Sequence, residues 1–165
     1  MATITSTTLN IRNPILRSIA LSGMMVGLLH LIIQDGLVFS LLNQTPFILV
    51  MQYVASGVMG NAAFAGGLAI ALLGLIIHFL ISFVVAGVFI LSADRISLLR
   101  HNVIFGSLLY GVGVFIVLYV VILPLSAAPP VPLQTTDVIE LILEHVLVIG
   151  LPLGLFVRRT TKINL

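Results

Sequence analysis

Pro46-Phe-Ile-Leu-Val-Met-Gln-Tyr-Val-Ala-Ser-Gly-Val-Met-Gly60 is the stretch on which the fold turns. It is apolar enough to cross a bilayer, and whether it does so sets the sidedness of everything that follows. The basic residues decide. All seven of them, Arg12, Arg17, Arg95, Arg100, Arg158, Arg159 and Lys162, fall in the N-terminal segment, in the connection 92–102 or beyond residue 157. Four crossings put those three segments on one side, which the positive-inside rule makes cytoplasmic. A further crossing at 46–60 would send Arg95 and Arg100 to the side opposite Arg12 and Arg17. The stretch is therefore read as a short helix from about Pro46, lying at the outer interface or dipping in and returning. Proline suits the first turn of a helix, and Gly57, Gly60, Gly66 and Gly67 supply the turns that lead into the next segment.

Working outward, four runs are long and apolar enough to span: about 16–42, with an internal polar break, then 67–91, 103–123 and 138–157. Each is expected to be helical, because lipid cannot satisfy an open backbone. The composition agrees. Of 165 residues 60% are hydrophobic and 7% charged, against about 25% charged in a soluble domain. The expected fold class is all-α: one polytopic transmembrane domain, a bundle of four membrane-spanning helices, with the short interfacial or re-entrant helix between the first and second. Residues 1–11 read as a flexible cytoplasmic tail. The apolar run after Arg17 reads as an uncleaved span, since Gln34-Asp35-Gly36 offers no small-x-small cleavage site. There is no cysteine, which excludes disulfides, thiolate metal sites and c-type haem attachment. No Walker loop, dinucleotide fingerprint, serine nucleophile elbow or kinase signature is present, so soluble-type catalysis has no support, and nothing points to nucleic acid.

Ionisable groups inside spans are costly and are functional candidates by default. At about 1.5 Å per helical residue, counted from the basic end of each span, His30, His78 and His145 fall at similar depths in the outer half of the bilayer. Glu144 lies beside His145, with Asp35 and Glu140 about a turn higher. His30, His78, His145 and Glu144 are therefore candidate ligands for a transition metal, or, for two of the histidines, a haem. Asp35, Glu140 and Glu144 are candidates for a proton relay, Glu140 and Glu144 sharing a helix face. The plainer reading has each histidine bonded to a neighbouring helix, and Asp137 with Glu140 as a capping box at the start of the last span. Gly23-x-x-x-Gly27 and Gly150-x-x-x-Gly154 allow close helix approach within the chain or in a self-dimer. Pro152 is expected to bend the last span, and Tyr53, Tyr110 and Tyr119 to serve as an interfacial aromatic belt.

The tracts Ala55-Ser-Gly-Val-Met-Gly60, Leu73-Gly-Leu-Ile-Ile-His-Phe79, Leu123-Pro-Leu-Ser-Ala-Ala-Pro129 and Glu144-His145 through Arg158-Arg159 resemble small four-helix membrane proteins of bacteria and, more distantly, YagU-type inner-membrane proteins. The resemblance implies a bacterial inner-membrane location and a compact four-helix bundle, and it carries no catalytic residues. Two functions follow from the residues. The first is a non-catalytic accessory or interaction subunit, associating with the lipid bilayer and with other membrane proteins or itself. The second is a membrane protein whose outer-half His/Glu site binds a metal or haem or relays protons. A small transporter ranks behind both, because four closely packed helices leave little room for a path.

Overall fold

The computed structural model describes residues 14–93 and 95–160. The tail expected over residues 1–11, together with Arg12, Asp94 and Lys162, lies outside them. Among the described residues the protein is all-α, with five helices long and apolar enough to cross a membrane: α1 Pro14–Leu42, α2 Phe47–Ala65, α3 Gly67–Ala93, α4 Val103–Leu125 and α5 Thr135–Thr160. A short helix, Ser97–His101, joins α3 to α4. α2 is the shortest, at 19 residues, and the least apolar. Large apolar side chains such as Leu72, Leu80, Val84 and Val120 stand exposed along the outer faces, a surface that suits hydrocarbon rather than water.

Small residues set the packing. α1 and α3 run antiparallel, with Gly87 facing Ile19, Gly23 against Phe83 and Gly27 against Phe79. α4 and α5 pair in the same manner: Gly154 meets Ser107 and Val103, Gly150 meets Ser107, and Gly111 lies on the backbone of His145 and Val146. Both glycine pairs of the GxxxG type are thus consumed by packing within the chain, where a missing Cβ lets backbones approach. The two helix pairs join through one apolar core containing Val26, Phe89, Val114, Ile149 and Leu153. Tyr110 ties them further by donating its hydroxyl to Val85 O at 2.7 Å, so it points into the bundle rather than into an interfacial belt.

These pairings bring the start of α1, the end of α3, the start of α4 and the end of α5 to one end of the bundle, and with them Arg17, Arg95, Arg158 and Arg159. α2 begins and finishes at the other end. It packs on the first half of α3, its Met51 backbone against Gly74, while Gln52 donates to Gly67 O at 3.0 Å. Gly67 turns the chain into α3 with a φ of 56°, where a side chain would be strained.

Three stretches widen from α to π geometry: Leu31–Leu42 in α1, Ile116–Ile122 in α4 and His145–Gly150 in α5. The last two each end two residues before a proline, Pro124 and Pro152. A proline cannot donate to the carbonyl four residues back and its ring collides with it; a wider turn ahead of the proline relieves both. In α1 the polar break read from the sequence is not a break, since the helix continues through Gln34 and Asp35 as π turns. One cap is also corrected. α5 starts at Thr135, and its capping box pairs Gln134 with Asp137, the Gln134 backbone N–H donating to Asp137 Oδ2 at 2.9 Å. Glu140 takes no part in it.

Candidate functional site

The cluster is assembled from α1, α3 and α5. In an α-helix, residues five apart lie about 140° apart around the axis, so Asp35 would face away from His30. The π turns that begin at Leu31 close i→i+5 rings and bring the two onto one face, His30 Nδ1 lying 3.5 Å from Asp35 Oδ2. The same carboxylate oxygen is 3.4 Å from His78 Nδ1 on α3. The other nitrogen of His30 is 3.5 Å from Glu144 Oε1 on α5, and Glu144 Oε2 touches His145 Nδ1. The imidazole of His30 sits between the other two, with ring centroids 5.2 Å from His78 and 6.0 Å from His145. Asp35, His78, Glu144 and His145 are all buried and His30 nearly so.

Hydrogen-bond chemistry fixes which ring nitrogens are available. His78 Nε2 lies 3.0 Å from Gly27 O, and a carbonyl can only accept, so this nitrogen donates and leaves the Nδ1 lone pair facing Asp35. His145 Nδ1 lies 2.8 Å from Leu141 O. By the same logic it donates, and Nε2 keeps its lone pair, buried and without a partner. His30 Nδ1, Asp35 Oδ2 and both Glu144 oxygens are likewise buried with no hydrogen bond. Apart from the His145 Nδ1–Glu144 contact, acceptors outnumber donors, since a neutral His30 has one N–H for two carboxylates, both at separations too long or misaligned for hydrogen bonds. Such a group is expensive in a low-dielectric interior unless a cation lies among its members. Two overlapping sets of ligand atoms are close enough to share one, His30 with Asp35 and His78, and His30 with Glu144 and His145, the atoms within each set lying within 4.8 Å of one another.

The four residues read from the sequence as metal ligands, His30, His78, His145 and Glu144, therefore converge. Of the three read as a proton relay, Asp35 and Glu144 belong to the cluster. Glu140 does not: it is exposed on α5, because one helical turn from Glu144 is enough to carry it out of the bundle. Two further polar groups do not stand out in the sequence. Gln34 is 2% exposed, with an amide nitrogen that finds no partner; its neighbour Asp35 was the only signal nearby. Tyr119, read as an interfacial aromatic, packs edge-on against His145 at 5.7 Å and stacks on Phe115 at 5.1 Å. His101 lies in the short helix at the opposite, basic end.

Beside the cluster is a cavity of about 360 Å³, in whose wall His30, Asp35, His78 and His145 appear together with Tyr53 and Tyr119. The class these features define is a helical protein suited to a membrane, with a buried histidine–carboxylate cluster opening on an apolar chamber. In comparisons with known proteins no family model matches the chain, and no curated protein or solved structure matches it either.

Proposed function

We infer that this is a membrane metalloprotein whose bundle holds a divalent first-row transition-metal ion among His30, Asp35, His78, Glu144 and His145. The observation that carries the reading is the locking of His78 by the Gly27 carbonyl, which leaves its Nδ1 lone pair 3.4 Å from Asp35 Oδ2, within a group of buried atoms of His30, Asp35, Glu144 and His145 that have no hydrogen-bond partner. Metal-binding imidazoles characteristically donate their second ring N–H in this way. Nitrogen and carboxylate ligands suit zinc, iron, copper or nickel, and two ionised carboxylates would match the charge of a divalent ion. A haem is less well supported: the His30 and His78 rings are tilted at 53° with Asp35 reaching both, an arrangement without a planar slot for a macrocycle. An accessory subunit acting only through its outer surface would gain nothing from so costly a cluster.

A second reading rests on His30 alone. Its two nitrogens face different carboxylates, Asp35 and Glu144, which is the geometry of an imidazole passing a proton between them.

The same reading places the chain in a bacterial inner membrane with four crossings and both ends cytoplasmic. The four crossings are supported by the antiparallel course of α1 and α3, which requires an odd number of crossings from the start of α1 to the start of α3, and by α2 leaving and rejoining the same end of the bundle. α2 then lies as a re-entrant or interfacial helix.

The test is metal content by mass spectrometry on detergent-purified protein, with Co²⁺ titration followed optically. Wild type is expected to bind stoichiometrically and His78→Ala to lose the ion while keeping its circular dichroism. Equal, negligible metal in both, with unchanged folding, would reject the metal site.

A further inference from the structure

An ion needs only its ligands around it, so the chamber beside the cluster calls for a separate explanation. Its volume of about 360 Å³ falls within the range of roughly 300–1,000 Å³ typical of small-molecule sites. One wall is the cluster itself. The others are mostly aliphatic, among them Val26, Val54, Ile77, Leu118 and Ile149, with Phe39. The nearby serine hydroxyls are already spent on backbone: Ser82 donates to His78 O at 2.9 Å and Ser126 to Leu123 O at 2.7 Å. A ligand bound here would therefore find an apolar sleeve and a polar end.

The exposed part of the lining points to a lateral way in. α3 and α4 are joined through Tyr110, whose hydroxyl reaches Val85 and whose ring lies 5.0 Å from Phe89. Beyond that tie, toward the end where α2 sits, they part, and the chamber lies between Ile77 and Ile81 of α3 and Leu118 and Ile122 of α4, with Val58 of α2 above. Ile81, Ile122 and Val58 are 37, 49 and 72% exposed. The side chains at the opening thus belong to the apolar outer surface, so a molecule entering there comes from the hydrocarbon layer and not from water.

We propose that the chamber binds a membrane-dissolved lipid with a single apolar chain and an uncharged oxygen head, an alcohol or a ketone, placing that oxygen against His30, His78 and His145. The neutral head follows from the wall. Asp35 in the wall and Glu144, 3.5 Å from His30, disfavour an anionic head when no ion is present and leave no surplus positive charge when a divalent one is. A cationic head would have to displace the ion to gain its attraction. The proposal rests on the metal reading for the exclusion of a cationic head; the sleeve and its opening exist without the ion.

The test uses full-length protein in phospholipid nanodiscs and a decanol analogue carrying a photoactivatable diazirine in its chain, with crosslinks mapped by mass spectrometry. Metal content is measured on the same sample. Crosslinks are expected to concentrate on Ile77, Ile81, Leu118 and Ile122, to be competed by excess 1-decanol but not by decanoate or decyltrimethylammonium, and to fall about tenfold in Ile81→Trp or Val58→Trp, each of which fills the opening from an exposed position. Competition by decanoate to the same degree would overturn the neutral-head assignment. Uniform labelling of outward residues such as Leu80 and Val84, uncompeted and unchanged in both tryptophan variants, would overturn the site. Competable labelling in metal-free protein would remove the metal reading and leave the chamber standing; stoichiometric metal with uniform labelling would do the reverse.

Discussion

Asp35 and Glu140 illustrate what a sequence conveys about single residues. Depth counted along the spans puts both acids about a turn above the histidines, and on that measure they look equivalent. Depth omits azimuth. Asp35 is swung onto the face of His30 by π turns that no apolar periodicity announces, whereas Glu140, one α turn beyond Glu144, lies exposed outside the cluster. Glu144→Gln is therefore expected to weaken Co²⁺ binding by at least about tenfold, and Glu140→Gln to leave it within about twofold; the optical titration that measures one measures the other. The pH dependence has a definite sign. Imidazole nitrogens must be deprotonated to ligate, so protonation competes with the ion and adds repulsive charge. Metal retention on equilibrium dialysis is accordingly expected to be greatest above neutrality and to decline on acidification. Retention that rose on acidification would contradict ligation by histidine.

Among the elements, long apolar runs were the easiest to read, and α1, α3, α4 and α5 each fall where such a run lies. Their ends were less legible. α5 begins at Thr135 rather than Val138 because Gln134, a residue with weak capping preference, pairs with Asp137. The glycine pairs could be recognised as contact residues, but the sequence left open whether the contact was with another helix of the chain or with a second copy; only the arrangement of the helices answers that. The contact also positions the site, since Gly111 lies on the very residue, His145, that α5 contributes. A Cβ at Gly111 would stand 2.6 Å from His145 O and 2.8 Å from Val146 Cα, backbone atoms that cannot rotate aside. Gly111→Val is expected to cost about 1–3 kcal/mol as an overpacked contact, read as a lowered thermal midpoint in detergent, and to weaken Co²⁺ binding although residue 111 touches no ligand atom. The same substitution at Gly113, where nothing lies within 4 Å of the added atom, serves as the control and is expected to change neither.

For the molecule as a whole, the charge pattern carried more information than hydropathy. Length and composition make α2 as eligible to cross as its neighbours; the grouping of arginines argues against it, and so does the antiparallel pairing of α1 with α3. Reporter fusions after Leu165 and within 92–102 are expected to read cytoplasmic, and one near Pro130 external. A fifth crossing would invert the reading at all three positions. What the sequence could not convey was convergence. Three histidines at one depth can lie on three separate outer faces, and their meeting depends on helix rotations set by small residues at distant contacts. Convergence also bears on biogenesis. The ligands come from the first, third and last long helices, so a nascent chain has no complete pocket until its final segment has entered the membrane. On the metal reading, loading the ion would then act as a seal on finished synthesis. A chain truncated before Glu144 would keep His30, Asp35 and His78 as buried groups with half their partners missing, and would be left open to the proteases that clear unassembled membrane proteins.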